Sequence, residues 1–195
     1  MIESLNAWDH QLFWWINSHH CAVSDWVLWT FSQAWSWPLV ILAAYLTVCK
    51  RLGWKHLLPV FVGIGLCFLL GDRLSVMCFK DNVMRLRPCH EMEGVRMFLT
   101  RCGGRYGFVS SHAANCTAVA VFLSLLGSIP KPGRKPLKAL PYLMALWVLI
   151  VGYSRPYLGK HFPGDVVCGT LLGLGIGALL YFIYCKVFAK RLQTN

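Results

Sequence analysis

Long apolar stretches decide what this chain can become. Leu57 to Phe79 and Asp165 to Val187 are each almost wholly apolar, and a bilayer crossing takes roughly 20 such residues in a helix. Trp26 to Val48, Ser111 to Leu126 and Ala139 to Tyr153 are similar blocks. Of the whole chain, 56% is hydrophobic and 14% is charged. A soluble domain carries about 25% charged residues, so there is too little polar surface here to cover a water-facing globule. The expectation is an all-α fold: a polytopic membrane helical bundle of about five transmembrane helices, forming one domain over residues 1–195.

The remaining segments fall between these blocks. Residues 1–20 mix Trp8, Trp14 and Trp15 with Asp9, His10, His19 and His20. That is too polar to span, and its tryptophans suit a lipid–water boundary, so an N-terminal interfacial helix is expected. The start, Met1 to Asn6, has no basic n-region of the secretory type. Pro38 either kinks the first span or marks where its deep part begins. Pro130, Pro132, Gly133 and Pro136 break the loop from Ser128 to Lys138. Gly169, Gly173 and Gly177 recur every fourth residue in the fifth span and predict close packing against another helix of the same chain. Asn115-Cys116-Thr117 matches a glycosylation acceptor but lies within a span, which discounts it.

Charge orients the bundle. Lys50, Arg51, Lys55, Lys131, Arg134, Lys135, Lys138, Lys186, Lys190 and Arg191 fall on one side with no acid among them. The positive-inside rule puts that side in the cytoplasm. Residues 80–108 and 154–164 then face outward, on the extracytoplasmic side. The formal charge of +11 is thus explained by topology and an anionic membrane substrate, not by nucleic acid. No C-x-x-C pair occurs, and no carboxylate–histidine cluster suits a metal pair, so neither metal nor other cofactor is expected. Cys89 and Cys102 are the only cysteines of the outer loop 80–108. If that loop faces an oxidising compartment, they form a disulfide.

Three outward segments carry chemistry. Lys80 to Pro88 follows the second span, Val109-Ser110-Ser111-His112 opens the third, and Ser154 to Asp165 joins the fourth to the fifth. Lys80, Arg87 and Arg155 are cationic donors, and an arginine fork matches two phosphate oxygens. Ser110 or Ser111 can cap the third span, and Pro163 suits the first turn of the fifth. Both helix starts then offer free N–H groups to an anion. Asp165 lies one turn after His161, close enough to hold one ring nitrogen and leave the other free to attack. His112 can protonate the leaving oxygen.

The same residues resemble a known family. K-x6-R-P, P-S-G-H and S-R-x5-H-x3-D are motifs of the type 2 phosphatidic acid phosphatase superfamily, and Lys80, Arg87 and Pro88, then Ser110 and His112, then Ser154, Arg155, His161 and Asp165 match them. The resemblance covers roughly Leu57 to Tyr184. It implies His161 as a nucleophile forming a phosphohistidine, Asp165 as its orienter and His112 as general acid. Lys80, Arg87, Ser110 and Arg155 would hold the phosphoryl oxygens, with no metal. Val109 and Ser111 depart from the motif's proline and glycine. Ser111 still offers its N–H, and its hydroxyl adds a donor.

The implied activity is removal of a terminal phosphate from a membrane lipid in the outer leaflet. The Arg-Pro-Cys-His and Tyr-Gly-Phe-Val-Ser-Ser-His stretches look most like members assigned to lipid A dephosphorylation. Undecaprenyl diphosphate phosphatase and lipid-to-lipid phosphoryl transferase are the alternatives. A non-catalytic lipid-binding or transport protein is disfavoured, because a binder needs no nucleophile. Elsewhere, His19, His20 and His56 read as interfacial side chains, and His90 as loop structure or a substrate contact. Asp72 and Arg73, inside the second span, form either a structural ion pair or support for the site.

Overall fold

The computed structural model describes residues 2–131 and 133–193. Pro132 lies outside them, as do the side chains of Lys190 and Arg191. Among the described residues the regular structure is helical: α1 (Ile2–Ser18), α2 (Ala22–Ser32), α3 (Trp37–Leu52), α4 (Leu57–Leu74), α5 (Ser111–Ser128), α6 (Ala139–Tyr157) and α7 (Pro163–Gln193). Three helical stretches, Trp54–Val83, Ser111–Ser128 and Pro163–Phe188, are long and apolar enough to cross a membrane. The pair α2 and α3 makes a fourth when taken together. The all-α membrane bundle stands, and the chain is a multi-pass membrane protein.

The expected single span Trp26–Val48 is broken. α2 and the helix that follows it meet at 75°. Pro38 occupies the first turn of α3, where its missing N–H costs nothing, so it starts a helix and does not kink one. Polarity misled the other boundaries. α4 runs on through a π-helical turn, Ser75–Lys80, to Val83, so Lys80 is helical and not in a loop. π-turns insert an extra residue and re-aim the side chains beyond it. α6 likewise runs past Tyr153 to Tyr157, so Ser154 and Arg155 sit on its last turn. Pro156 is tolerated there because the helix is about to end.

α5 stands at the centre. Its faces are buried nearly all round, from Ala113 to Ala120 and again at Phe122, Leu123 and Leu126. α7 lies against it through the glycine stripe. A Cβ on Gly169, Gly173 or Gly177 would fall 2.4, 2.4 or 2.6 Å from the carbonyl oxygens of Ser110, Ala114 and Ala118. The stripe therefore serves packing within the chain, as expected. Trp37, Val60, Cys67, Phe122, Met144 and Trp147 belong to the same core. His56 also joins that interior, beside Tyr184, and is buried instead of interfacial.

The two ends of the bundle differ in chemistry. At the basic end, Arg51 donates to the carbonyls of Ile129 and Lys135, Lys131 to that of Leu52, and Arg134 to those of Lys50 and Arg51. These cations satisfy helix-end carbonyls that would otherwise lack partners. At the opposite end, Cys89 and Cys102 are disulfide-bonded with their α-carbons 5.9 Å apart. α1 lies at this end as well. Its Phe13, Ile16 and Asn17 are buried, while Leu5, Trp8, Leu12 and Trp15 face outward.

Candidate active site

The end of α4, the start of α5, the end of α6 and the start of α7 meet at one end of the bundle. The sequence from Arg155 to Asp165 shows how the last of these is shaped. α6 closes at Gly159, which has a positive φ of 72° and passes so close to the neighbouring loop that a Cβ would fall 2.6 Å from Val95. Only glycine fits both demands. Lys160 and His161 follow, and Pro163 opens α7. Asp165 reaches back to accept the N–H of Phe162 at 3.1 Å, the carboxylate half of a capping box. That contact holds its other bonds in register.

His161 is almost fully buried. Its Nε2 accepts from Arg87 Nη1 at 2.8 Å. The proton of the neutral ring then belongs on Nδ1, which lies 3.5 Å from Asp165 Oδ2. Gly107 packs on this group. A Cβ there would lie 3.1 Å from Asp165 Oδ2 and 3.5 Å from His161 Nδ1. Burial, then Arg87, Arg155 and Lys80, push His161 well below its ordinary 6.5. A neutral imidazole keeps a lone pair available for attack.

Arg87 is anchored by the carbonyls of Gly104 and Lys160, at 2.6 and 3.0 Å. Lys80 Nζ donates to Ser111 Oγ at 2.7 Å. Ser111 therefore accepts a cation, which leaves its own O–H to donate elsewhere. Ser110, and not Ser111, is the cap of α5: its buried side chain accepts from the N–H of Ala113. Among the described residues the N–H groups of Ser111 and His112 have no protein acceptor. Arg155 is 2% exposed, donates Nη1 to Ser32 at 2.7 Å, and has no partner for its Nε. His112 makes no hydrogen bond among the described residues. Its ring stands edge-on to Trp37 at 5.2 Å and faces an apolar groove.

One expectation fails. The start of α7 does not offer free N–H groups to an anion. Pro163 has none, and Asp9 Oδ1 takes that of Gly164 at 2.7 Å. Only the start of α5 remains open in this way.

Several residues escaped the sequence. Arg85 donates to Asp165 Oδ1 at 2.9 Å and to Asp9 Oδ2 at 2.7 Å, and its guanidinium stacks 4.2 Å from the Phe162 ring centre. Asp9 arrives from α1, over seventy residues away in sequence. Nothing in the local pattern ties these together. The one available signal was a further arginine between Lys80 and Arg87. Lys160 lies one residue before His161, and burial, with Arg155 and Arg87, pushes it down to about 8. His90, by contrast, is exposed beside the Gly103 carbonyl. The only group of metal-ligating side chains among the described residues is Cys89, His90 and Cys102, whose two sulfurs are already bonded to each other.

This arrangement is a cationic, largely dry cradle around one histidine: three cations, free backbone donors, and a carboxylate behind the ring. It suits the oxyanions of a phosphoryl group. Comparison with known proteins agrees. A family model described as PAP2 superfamily matches residues 56–189. A lipid A 4'-phosphatase of Bacteroides thetaiotaomicron is 33% identical over 100% of this chain and 84% of its own length. One from Porphyromonas gingivalis is 28% identical over 96% and 77%. Two crystal structures share the fold. Aquifex aeolicus LpxE has a TM-score of 0.61 at 22% identity, covering 87% of this chain and 92% of that one. A transmembrane PAP2-type phosphatidylglycerolphosphate phosphatase from Bacillus subtilis has a TM-score of 0.67 at 19% identity, covering 98% and 89%. The motifs, the cradle they build and the matched family model lead to one conclusion: the chain belongs to the PAP2 superfamily.

Proposed function

We propose that the protein is a lipid phosphatase that removes a terminal phosphate from a lipid A-type molecule through a phosphohistidine, without a metal. The observation that carries this is the setting of His161: Arg87 donates to Nε2, and the buried Asp165 carboxylate lies 3.5 Å from Nδ1, so the nucleophilic lone pair faces the cations. The relatives named as lipid A 4'-phosphatases, one of them 33% identical over the whole chain, support the substrate.

In the first step His161 Nε2 attacks phosphorus, and the bond from phosphorus to the lipid oxygen breaks. His112, protonated, gives its proton to that oxygen. Arg87, Lys80, Arg155, the Ser111 hydroxyl and the free N–H groups of α5 hold the other oxygens as charge builds. Ser110 supports that donor array as the cap of α5. In the second step water attacks the phosphohistidine, His112 takes the water's proton, and phosphate leaves with His161 restored. Asp165 keeps the Nδ1 proton in place throughout.

The site lies at the periplasmic face of the inner membrane in this account. Ten cations fall at the opposite end of the chain's topology, and the disulfide lies on the site's side. α1 rests in the interface, with Leu5, Trp8, Leu12 and Trp15 in the lipid headgroups. The test is phosphate release by purified protein from a panel of lipid phosphates with chelator present. Lipid A should be turned over fastest. Faster release from undecaprenyl diphosphate would move the assignment there. Labelled phosphate appearing on a second lipid would make the protein a transferase.

A further inference from the structure

Asp72 stands inside a membrane-spanning helix, yet it makes no ion pair among the described residues, not even with Arg73. Its hydrogen-bond partner is Asn115, whose Nδ2 donates to Oδ1 at 2.9 Å. Asn115 is itself 6% exposed, with an Oδ1 that has no partner. Room for this amide exists only because residue 71 is glycine: a Cβ there would fall 2.0 Å from Asn115 Oδ1. The chain thus goes to some length to hold one carboxylate.

That carboxylate faces an apolar groove of about 620 Å³ between α3 and α4. Trp37, Ile41, Ile64 and Phe68 form its walls, and His112 stands at one end. The groove opens outward past Leu42 and Phe61, which are exposed. An ionisable group in such a place is costly unless a partner comes to it. Among the described residues only the neutral Asn115 amide does, and no cation pairs with the carboxylate. Lys80 reaches α5 at Ser111 and Asp72 reaches it at Asn115, one helical turn further along, so the carboxylate lies roughly 6 Å beyond the cradle. A ligand whose phosphate sits at Lys80 and His161 would therefore meet Asp72 with the part of the lipid that follows the phosphate into the groove, and not with the phosphate itself.

We infer that Asp72, oriented by Asn115, accepts a hydrogen bond from a hydroxyl carried a few carbons down the acyl chain of the lipid, and so selects hydroxylated chains. The inference rests on the lipid-phosphate reading of the site. It adds a specificity-determining residue outside the phosphate cradle.

The probe is a pair of tritiated N-acyl glucosamine phosphates identical except for a hydroxyl on the third acyl carbon. Binding to the purified full chain is measured by scintillation proximity, and phosphate release is measured in parallel. Wild type should bind the hydroxylated lipid roughly tenfold more tightly. Asp72→Leu should bring the two within about twofold while leaving the plain lipid unchanged. Asp72→Asn, which preserves shape and an acceptor oxygen, should keep part of the preference. An equal affinity of wild type for both lipids would overturn the inference. So would a preference that survives in Asp72→Leu, or equal weakening of both lipids in both variants. Preferential binding without phosphate release would support Asp72 as a selector and sink the phosphatase reading, so the two failures are distinct.

Discussion

Arg87 Nη1 donates to His161 Nε2 at 2.8 Å. The bond makes the proposed nucleophile and the proposed phosphate ligand one unit, since the same guanidinium is held by two carbonyls of the loops on either side. When a phosphate arrives, its oxygens take over donors that the ring now shares. Arg87→Lys keeps the charge but cannot span these three acceptors. Turnover of an aryl phosphate should fall by roughly a hundredfold or more. Near-normal kcat/KM in that variant would reduce Arg87 to an anchor.

Arg85 holds two carboxylates, Asp165 and Asp9, and so ties α1 to the carboxylate behind His161. Arg85→Ala leaves the buried Asp165 without its counter-charge, which costs roughly 3 to 5 kcal/mol in buried pairs. The ring behind it should drift, with kcat down about a hundredfold and KM little changed. Arg85→Lys should recover part of the loss, because a charge returns without the fork. Steady-state kinetics on the two variants separate this positioning role from phosphate binding, which would raise KM instead.

Much of the candidate site's placement was legible in the sequence. The residues matching the three motifs, Lys80, Arg87, Ser110, His112, Arg155, His161 and Asp165, were each placed at one end of the bundle by span counting alone. What escaped was contact between distant segments. Asp9, Arg85 and Asp165 meet only once α1 folds across α7, and no local periodicity encodes that. Helix ends were misplaced for a related reason. Polar residues such as Lys80, Ser154 and Arg155 look like loop when read alone, yet they stay helical because each finds a partner inside the bundle: Ser111, the Val151 carbonyl and Ser32 respectively. The sharp bend before α3 was hidden because both of its arms are apolar.

The acid side of the pH profile follows from His161. Its folded value is held well below 6.5, so the ring stays neutral as pH falls through the range where an exposed histidine would take a proton. Formation of the phosphoenzyme should persist below pH 6.5 and fail only at lower pH. The same shift makes folding weaken as pH drops below 6.5, because the unfolded chain then binds the proton first. Lys160 acts on the other side. It loses its charge above about pH 8, so KM should rise there, and Lys160→Met should remove that dependence. Rapid-mix phosphorylation rates across pH would show both limbs, and an acid limb at or above 6.5 would mean that His161 is not the attacking base.

The bond between Cys89 and Cys102 closes a loop whose two flanking segments carry Arg87 and Gly104. Loops of about 15 residues gain roughly 3 kcal/mol from such closure on the chain-entropy model. Cys102→Ser should lower the melting temperature in detergent and raise KM, since the anchor of Arg87 loosens. In native membranes without reductant neither thiol should accept a maleimide. Full labelling of both would remove the bond and the orientation argued from it.

The phosphohistidine itself is the claim on which the rest depends. Purified protein is mixed for milliseconds with a lipid phosphate carrying labelled phosphorus, in chelator, then quenched in base and digested. Label should appear on the peptide containing His161, stable to base and labile to acid, and be absent from His161→Ala. Label on any other residue, or turnover with no labelled protein and a requirement for added divalent metal, would show that the phosphoryl group never passes through His161.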